Sequence, residues 1–347
     1  TDLAEAVFRV APRSEGSSRL LAGRDRARSV TVPAPPSALA FSSGHEAGEG
    51  LLALALGREI KLIRRDDMKG CGVIPLSLPK GCRDVRSMAF SSDSSTLAVV
   101  PMAESGGFAS EIQFYGIEEK AKPIVTKLST AGLSGIDFLH AGKAVSDMGD
   151  LVASCSRELF QLSPSTGGIV ASWKRNSELG GFRQIRAVSA HEVIALADKN
   201  VEIWDLRTSQ GVARSVTATE TATALDAASY RSSSVTFFGD ALGSLHCMDW
   251  RGTSEPELLW RPSKVQETPD HVRAVMVAHG CACVIAKSTL TMLGLQPVVD
   301  LGSANLGERV CGAAAGPDGW AFATQTAGKT TQYDVVLVET SGRAKQP

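Results

Sequence analysis

One segment near the carboxyl end of the chain resembles a phosphate-binding loop. Lys329 follows Gly328 and precedes threonine, as the lysine of such a loop does. Ala323 stands where the loop requires its first glycine, and a strand pattern follows instead of the helix whose amino terminus would face the phosphate. We therefore interpret this segment as a turn between two strands.

Two other short motifs also lack a residue that their chemistry needs. His191-Glu192 begins like a zinc-protease motif, but Ala195 replaces the second histidine. Residues 132–135 read Gly-Leu-Ser-Gly, which is one residue too short for a nucleophile elbow. We predict that the protein is not an enzyme and that it binds neither a cofactor nor a metal ion.

Cations and tryptophans suited to protein recognition occur in two polar segments. Lys174, Arg175 and Arg183 form one basic segment, and Trp250 stands next to Arg251 in the other. Tryptophan and arginine are enriched among the residues that dominate the binding energy of protein interfaces. We predict that these five residues contact a partner.

The charge balance bears on the kind of partner. Lys and Arg total 36 and Asp and Glu total 37, so no net field attracts nucleic acid or an anionic membrane. The longest stretch without charge, residues 29–45, contains three prolines and does not fit a membrane helix. We expect other proteins of a multi-subunit complex as partners, with no direct nucleic-acid binding, no membrane span and no small-molecule substrate.

The number and spacing of the cysteines indicate whether the protein resides in a reducing or an oxidising cellular compartment. Seven is an odd number, and the spacing shows no set of metal-ligating pairs. Cys281 and Cys283 share one face of a predicted strand, but no second pair completes four ligands. We interpret the cysteines as reduced core residues of an intracellular protein.

A repeat positions all of these residues, and residues 201–207 are its clearest copy. Apolar and polar residues alternate there, and Trp204-Asp205 is the dipeptide that marks the third strand of a propeller blade. Aligned residues recur 41 to 52 positions apart, close to the period of about 40 to 45 that is typical of four-stranded blades. The residues aligned with Trp204 are Ile63, Tyr115, Phe160, Met248, Met292 and Tyr333. We predict an all-β fold, a seven-bladed WD40-like β-propeller of four-stranded antiparallel blades.

The repeat also predicts the boundaries of the domain. The propeller spans 37–339, and 340–347 form a tail. Residues 6–10 read as a strand that closes the ring as part of the last blade, and 11–36 read as a polar loop. Residues 335–339 are the other candidate for the closing strand.

The apolar runs bear on a third class of function, a propeller hydrolase or lyase. Such an enzyme needs polar groups that converge on the central channel. Residues 195–197, 284–286 and 313–315 are small and apolar, and we assign them to the innermost strands. This assignment argues against an enzyme of that class.

Over about 37–336 the chain resembles the WD-repeat propeller family. Trp204-Asp205 is the one copy of the repeat in this chain that keeps the family's full Trp-Asp dipeptide. No Gly-His pair precedes a first strand, so the family's buried hydrogen-bond tetrad is incomplete. Residues 192–207 and 245–249 look like the small propellers of the Y-shaped nuclear pore subcomplex. This resemblance implies a non-enzymatic scaffold in a larger assembly, located at the nuclear envelope or pore, elsewhere in the nucleus, or in the cytoplasm.

An alternative is a propeller exchange factor or adaptor for a small GTPase. That group carries a glycine-rich loop in an early blade, which Ser105-Gly106-Gly107-Phe108 resembles. It also has a membrane anchor, which this sequence lacks. In this alternative the functional loop is 103–110.

Overall fold

A computed structural model provides the coordinates and describes the chain in sixteen segments that together contain every strand. No helix occurs in these segments, and hence none that is long and apolar enough to cross a membrane. The segments are 27–42, 50–103, 110–118, 122–128, 132–139, 149–175, 180–230, 233–250, 255–262, 271–278, 281–286, 289–295, 298–305, 310–316, 319–325 and 332–339.

The strands form seven antiparallel sheets of four strands each, so the all-β prediction and the number of blades are confirmed. Blades 1 to 6 take β2 to β25 in sequence order, four strands to a blade, and blade 7 consists of β26, β27, β28 and β1. The strands are β1 (Ala27–Val32), β2 (Leu39–Phe41), β3 (Leu51–Leu56), β4 (Glu59–Arg64), β5 (Gly70–Pro75), β6 (Cys82–Phe90), β7 (Thr96–Ala103), β8 (Glu111–Gly116), β9 (Ile124–Lys127), β10 (Leu133–Phe138), β11 (Leu151–Cys155), β12 (Glu158–Leu162), β13 (Ile169–Lys174), β14 (Gln184–Ala187), β15 (Glu192–Ala197), β16 (Asn200–Asp205), β17 (Val212–Thr217), β18 (Ala222–Tyr230), β19 (Ser233–Asp240), β20 (Leu245–Asp249), β21 (Glu257–Trp260), β22 (Val272–Ala278), β23 (Cys281–Ala286), β24 (Thr289–Leu295), β25 (Val298–Asn305), β26 (Val310–Gly316), β27 (Gly319–Gln325) and β28 (Tyr333–Glu339).

The position of a strand within its blade follows from its apolar pattern. Second strands such as β11 are buried at every residue, because both faces of the blade pack on neighbouring blades. The fourth strand β17 alternates between half-buried and exposed residues, because one of its faces meets solvent. Each first strand packs against the first strands of the blades on either side, and β2 against β26 completes the ring.

The hydrophobic cores lie between adjacent blades, since no single centre is large enough to bury seven sheets. One core joins Ile60 and Leu62 of blade 1 to Leu97 and Tyr115 of blade 2. Another joins blade 6 to Trp320 of blade 7. Each blade is therefore stable only through its two neighbours.

The strand positions correct part of the predicted alignment of the repeats on Trp204. Trp204 is the fifth residue of β16, the third strand of blade 4. In blades 1, 3, 4 and 6, two residues separate the end of the second strand from the start of the third, so positions in the third strand can be counted from its first residue. The fifth residue of the third strand is Ile63 in blade 1, which confirms that alignment. In blades 3 and 6 it is Leu162 and Leu293, so the alignment of Phe160 and Met292 with Trp204 is wrong. Tyr333 begins its strand instead of approaching its end. A fixed spacing fails because the loops between blades differ in length.

The strand that closes the ring is β1, which pairs antiparallel with β28 from Ala27↔Val338 to Val32↔Tyr333. The assignment of 27–32 to a loop is therefore wrong. Val30 and Val32 alternate with exposed Ser29, as expected for an outer strand. Residues 6–10 lie outside the part of the chain that the structure describes, and 335–339 belong to the third strand of blade 7.

Val32 tests this closure. Its side chain is 1% exposed and packs in the core between blades 7 and 1. We expect Val32→Asp to lower the free energy of unfolding by about 3 kcal/mol or more, because it buries an unpaired carboxylate. Exposed Ser29 in the same strand supplies the control, and Ser29→Asp should change stability by less than about 0.5 kcal/mol. Urea denaturation of both variants measures the difference, and equal small effects would contradict closure through β1.

Candidate interaction surface

The two faces of the ring carry different charges. One face bears the hairpins between second and third strands together with the segments that join successive blades; we call it the connection face. Among the residues that the structure describes, ten exposed cations stand at this end of the strands, against the exposed carboxylates Glu59, Asp198 and Glu220. The cations are Arg58, Lys80, Arg83, Lys127, Arg157, Lys174, Arg183, Lys199, Arg261 and Arg273.

The opposite face is balanced within the described residues. Its exposed cations are Arg64, Lys69, Lys122 and Arg207, and its exposed carboxylates are Asp66, Glu118, Glu255 and Glu257. A chain with almost no net charge therefore has one basic face. The sum over the sequence hides this difference, because the two faces are interleaved along the chain.

A buried ion pair anchors the connection face between blades 3 and 4. Arg175 follows β13, and its Nη2 donates to Glu202 Oε1 on β16 at 2.7 Å. Its Nε donates to Glu202 Oε1 at 2.9 Å and to Oε2 at 3.1 Å, and its Nη1 donates to the carbonyl of Gly180. Trp204 Nε1 donates to Glu202 Oε2 at 3.1 Å. Both charged side chains are 1% exposed, so these contacts must compensate for the loss of water.

The segment 180–183 is bonded to both neighbouring blades. The amide of Phe182 donates to the carbonyl of Ser156 at 2.6 Å, and the amide of Arg183 donates to the carbonyl of Leu196 at 2.8 Å. A Cβ at Gly181 would lie 2.9 Å from the Ser156 oxygen, so a larger residue does not fit without a shift. The segment is thus held between the hairpins of blades 3 and 4.

This arrangement groups four exposed cations, Arg157, Lys174, Arg183 and Lys199, which we call the basic patch. Lys174 Nζ lies 3.2 Å from Glu158 Oε1, and Arg183 Nη2 lies 3.4 Å from Asp198 Oδ1. Two carboxylates therefore balance two of the four cations. Arg157 and Lys199 form no ion pair with any residue that the structure describes.

The sequence-predicted contact residues have different positions. Lys174 and Arg183 are exposed on the basic patch, whereas the burial of Arg175 makes it a structural residue and corrects its assignment to a partner surface. Trp250 is buried too, and its Nε1 donates to Thr236 Oγ1 at 2.6 Å. Arg251 lies outside the described residues.

Sequence reasoning missed Arg157 and Lys199. Each is the second residue of a two-residue hairpin turn, between Cys155 and Glu158 in one blade and between Ala197 and Asn200 in the other. Aligning the turns of the repeat would have brought the two cations to equivalent positions.

The innermost strands also differ from the prediction. Residues 195–197 and 284–286 lie in second strands, so their assignment is wrong, whereas 313–315 lie in β26, an innermost strand, as predicted. The innermost strands also carry Asp137, Arg186 and Asp226. Arg186 Nε lies 3.2 Å from Asp226 Oδ1, and its Nη1 lies 3.7 Å from Asp137 Oδ2. Burial acts to lower the pKa of Arg186, but the two carboxylates outweigh it and raise that pKa above its ordinary value.

The same carboxylates join successive blades through the backbone. Asp137 Oδ2 accepts the amide of Ala187 at 3.0 Å, and Asp226 Oδ2 accepts the amide of Val277 at 2.7 Å. A first strand has no strand neighbour on its inner edge, so its amides need partners of this kind. These charges hold the ring together. No group of three or more metal-ligating side chains occurs among the described residues.

Comparison with known proteins decides the type of fold. No family model matches the chain, and no curated protein is similar to it in sequence. Its fold matches 1362 chains of solved structures, one of them titled "Structure of U3-55K", a WD-repeat propeller protein. That match has 12% identity and a TM-score of 0.67, and it covers 90% of this chain and 98% of that chain. The protein is a seven-bladed β-propeller with a WD40-like fold. At this identity the likeness concerns the fold alone.

Blade 5 of this propeller contains a buried polar network around Asp240. His246 Nε2 lies 2.8 Å from Asp240 Oδ2, and the His246 ring stacks on Phe238 at 5.0 Å between centroids. Asp240 Oδ1 also accepts the amides of Leu242 and Ser244. The histidine comes from β20, the third strand of the same blade.

The outer strands of the propeller add a second exposed feature. Thr126 Oγ1 of β9 donates to the carbonyl of Gly167, which precedes β13 in the next blade, at 2.7 Å. Apolar side chains on these two neighbouring strands are 39% to 56% exposed: Ile124, Val125, Ile169 and Val170. We call these four residues the apolar rim.

Cys71 is exposed on β5, in contrast to the core position that was predicted for the cysteines. Cys283 is fully buried between blades 6 and 7. Burial raises the pKa of the Cys247 thiol to about 11. Such a thiol is protonated at neutral pH and reacts slowly.

The buried ion pair makes one testable prediction. Glu202→Gln leaves the Arg175 guanidinium buried without its counter-charge, so we expect a loss of about 3 to 5 kcal/mol in the free energy of unfolding. The double variant Arg175→Met/Glu202→Leu should lose less than the single variant, because it leaves no buried charge. Urea denaturation compares the two variants. A single variant as stable as the unmodified protein would contradict the anchoring role.

Asp240 makes a second prediction, on pH. Burial raises the pKa of its carboxyl, but hydrogen bonds from His246 and from the Ser244 and Leu242 amides outweigh burial and hold that pKa below the ordinary 3.8. The stability that Asp240 contributes is therefore present above about pH 4 and is lost as the pH falls through the folded-state pKa. We expect the stability difference between the unmodified protein and Asp240→Asn to shrink when denaturation is measured from pH 6 down to about pH 3. A constant difference would contradict this account.

Proposed function

We propose that this propeller is a non-enzymatic scaffold that binds other proteins as a subunit of a larger assembly. The observation that carries the proposal is the connection face, where the described exposed cations outnumber the described exposed carboxylates by ten to three. Loops from several blades contribute to this face, and the sheets beneath hold them in fixed positions. A rigid, charged and solvent-exposed surface is suited to protein recognition.

A second surface supports a scaffold over a protein with a single partner. The apolar rim lies on the fourth strands of blades 2 and 3, away from the loops of the connection face. Adjacent exposed apolar side chains typically mark interaction sites. Two surfaces of different chemistry allow two partners to bind at once.

The charged residues near the channel also fit a scaffold better than an enzyme. Asp137 and Asp226 accept backbone amides of the next blade, and both lie close to Arg186. A general acid or base needs a carboxyl that is free to exchange a proton with a substrate. These carboxylates are instead used to hold the blades together.

In its more specific form the proposal is a nuclear pore component at the nuclear envelope. Support comes from the resemblance of 192–207 and 245–249 to the small propellers of the Y-shaped nuclear pore subcomplex. The other candidate, a GTPase exchange factor, depends on a loop whose central residues 104–109 lie outside the described chain. No described contact favours it, and it stays a prediction.

Affinity purification of the full chain from its native cells at moderate salt, followed by lysine cross-linking and mass spectrometry, tests the scaffold. We expect a stoichiometric set of partners, with intermolecular cross-links on Lys80, Lys127, Lys174 and Lys199 of the connection face. Lys69 and Lys122 of the opposite face are the matched controls. The nuclear pore form predicts large helical-repeat and propeller proteins among the partners, and envelope staining of the tagged chain. A protein that purifies alone contradicts the scaffold.

A further inference from the structure

The basic patch has the features of a site for a specific kind of partner. Its four cations are exposed: Arg157 and Lys199 lie in two hairpins, Arg183 in segment 180–183, and Lys174 at the end of β13. Segment 180–183 is hydrogen-bonded to both blades. Beneath them Arg175 and Glu202 form a buried ion pair at 2.7 Å. The backbone that carries the cations is therefore held in place before any partner arrives, which lowers the entropic cost of binding.

The charges of the patch favour a negatively charged partner. Arg157 and Lys199 form no ion pair among the described residues, so a partner carboxylate meets them without competition from those residues. Lys174 and Arg183 are each paired with one carboxylate, yet the Lys174 side chain is 79% exposed and the Arg183 side chain is 49% exposed. Exposed pairs of this kind contribute little, so exchanging one carboxylate for another costs little.

The chemistry of the face favours an acidic protein segment over nucleic acid. Proteins that bind single-stranded nucleic acid usually stack bases on exposed aromatic side chains. Every Phe, Tyr and Trp side chain that the structure describes is buried or half-buried. Glu158 and Asp198 also stand within the patch, and they would repel a continuous phosphate backbone. An acidic segment can place its carboxylates selectively between them.

We propose that the basic patch of blades 3 and 4 binds an acidic, extended segment of a partner protein. This inference rests on the proposed scaffold function and specifies the chemistry of one partner. The segment carries several aspartate or glutamate residues that contact Arg157, Arg183 and Lys199. Its binding weakens as salt rises, because exposed charges are screened.

Fluorescence anisotropy with the full chain tests the inference. The probes are a fluorescein-labelled peptide of alternating glutamate and serine and a labelled uridine oligonucleotide of the same length. The patch variant is Arg157→Gln/Arg183→Gln/Lys199→Gln. The control variant, Arg64→Gln/Lys122→Gln/Arg207→Gln, removes the same number of exposed cations from the opposite face. Both variants also break ion pairs between an arginine and an aspartate.

We expect the peptide to bind the unmodified protein more tightly than the oligonucleotide does, and to lose about tenfold in affinity in the patch variant. The control variant should stay within about twofold. Equal affinities of the three proteins for the peptide would overturn the proposal, as would tight binding of the oligonucleotide alone. If the peptide fails while stoichiometric partners still co-purify, the acidic-segment inference is wrong and the scaffold function stands.

Discussion

Each blade of this propeller buries its two faces against the neighbouring blades, and the whole structure depends on that mutual burial. The core between blades 7 and 1 forms only when the ring is closed, because an open ring would expose the faces of its first and last sheets. Closure through β1 and β28 supplies the missing outer strand of blade 7 and covers the core to which Val32 belongs. Stability is therefore shared around the ring, and the loss of one inter-blade contact affects both of the blades that it joins.

Polar contacts specify how neighbouring blades meet once the apolar faces are packed. Asp137 and Asp226 each bind an amide on the inner edge of the next blade, and the Arg175–Glu202 pair joins blades 3 and 4 near the connection face. Apolar packing alone tolerates small shifts between sheets, whereas a hydrogen bond at 2.7 to 3.0 Å does not. The loops that carry the basic patch inherit their fixed position from these contacts. Structure and candidate function are thus linked at the junction of blades 3 and 4.

The candidate surface could be predicted only in part. The basic segment that contains Lys174 and Arg183 was recognisable from residue types, because clustered cations indicate recognition wherever they are exposed. Arg175 shows the limit of that reasoning, since its neighbour Lys174 is exposed while Arg175 is buried against a carboxylate 27 residues away. Arg157 and Lys199 become members of the same patch because segment 180–183 contacts both hairpins, a juxtaposition that no local pattern reveals.

The repeat length and the apolar runs were sufficient for the all-β class and seven blades, because burial on both faces imposes a pattern within each strand. Three features depended on the tertiary structure: closure by 27–32, charged residues on the innermost strands, and the separation of charge between two faces. Each depends on which distant segments become neighbours, and chain order does not encode that directly. The segment 27–32 resembles a loop in the sequence because it is short and only partly apolar, and it forms a strand because it pairs with β28. A chain with balanced charge reads as neutral until its hairpins are gathered on one side of the ring.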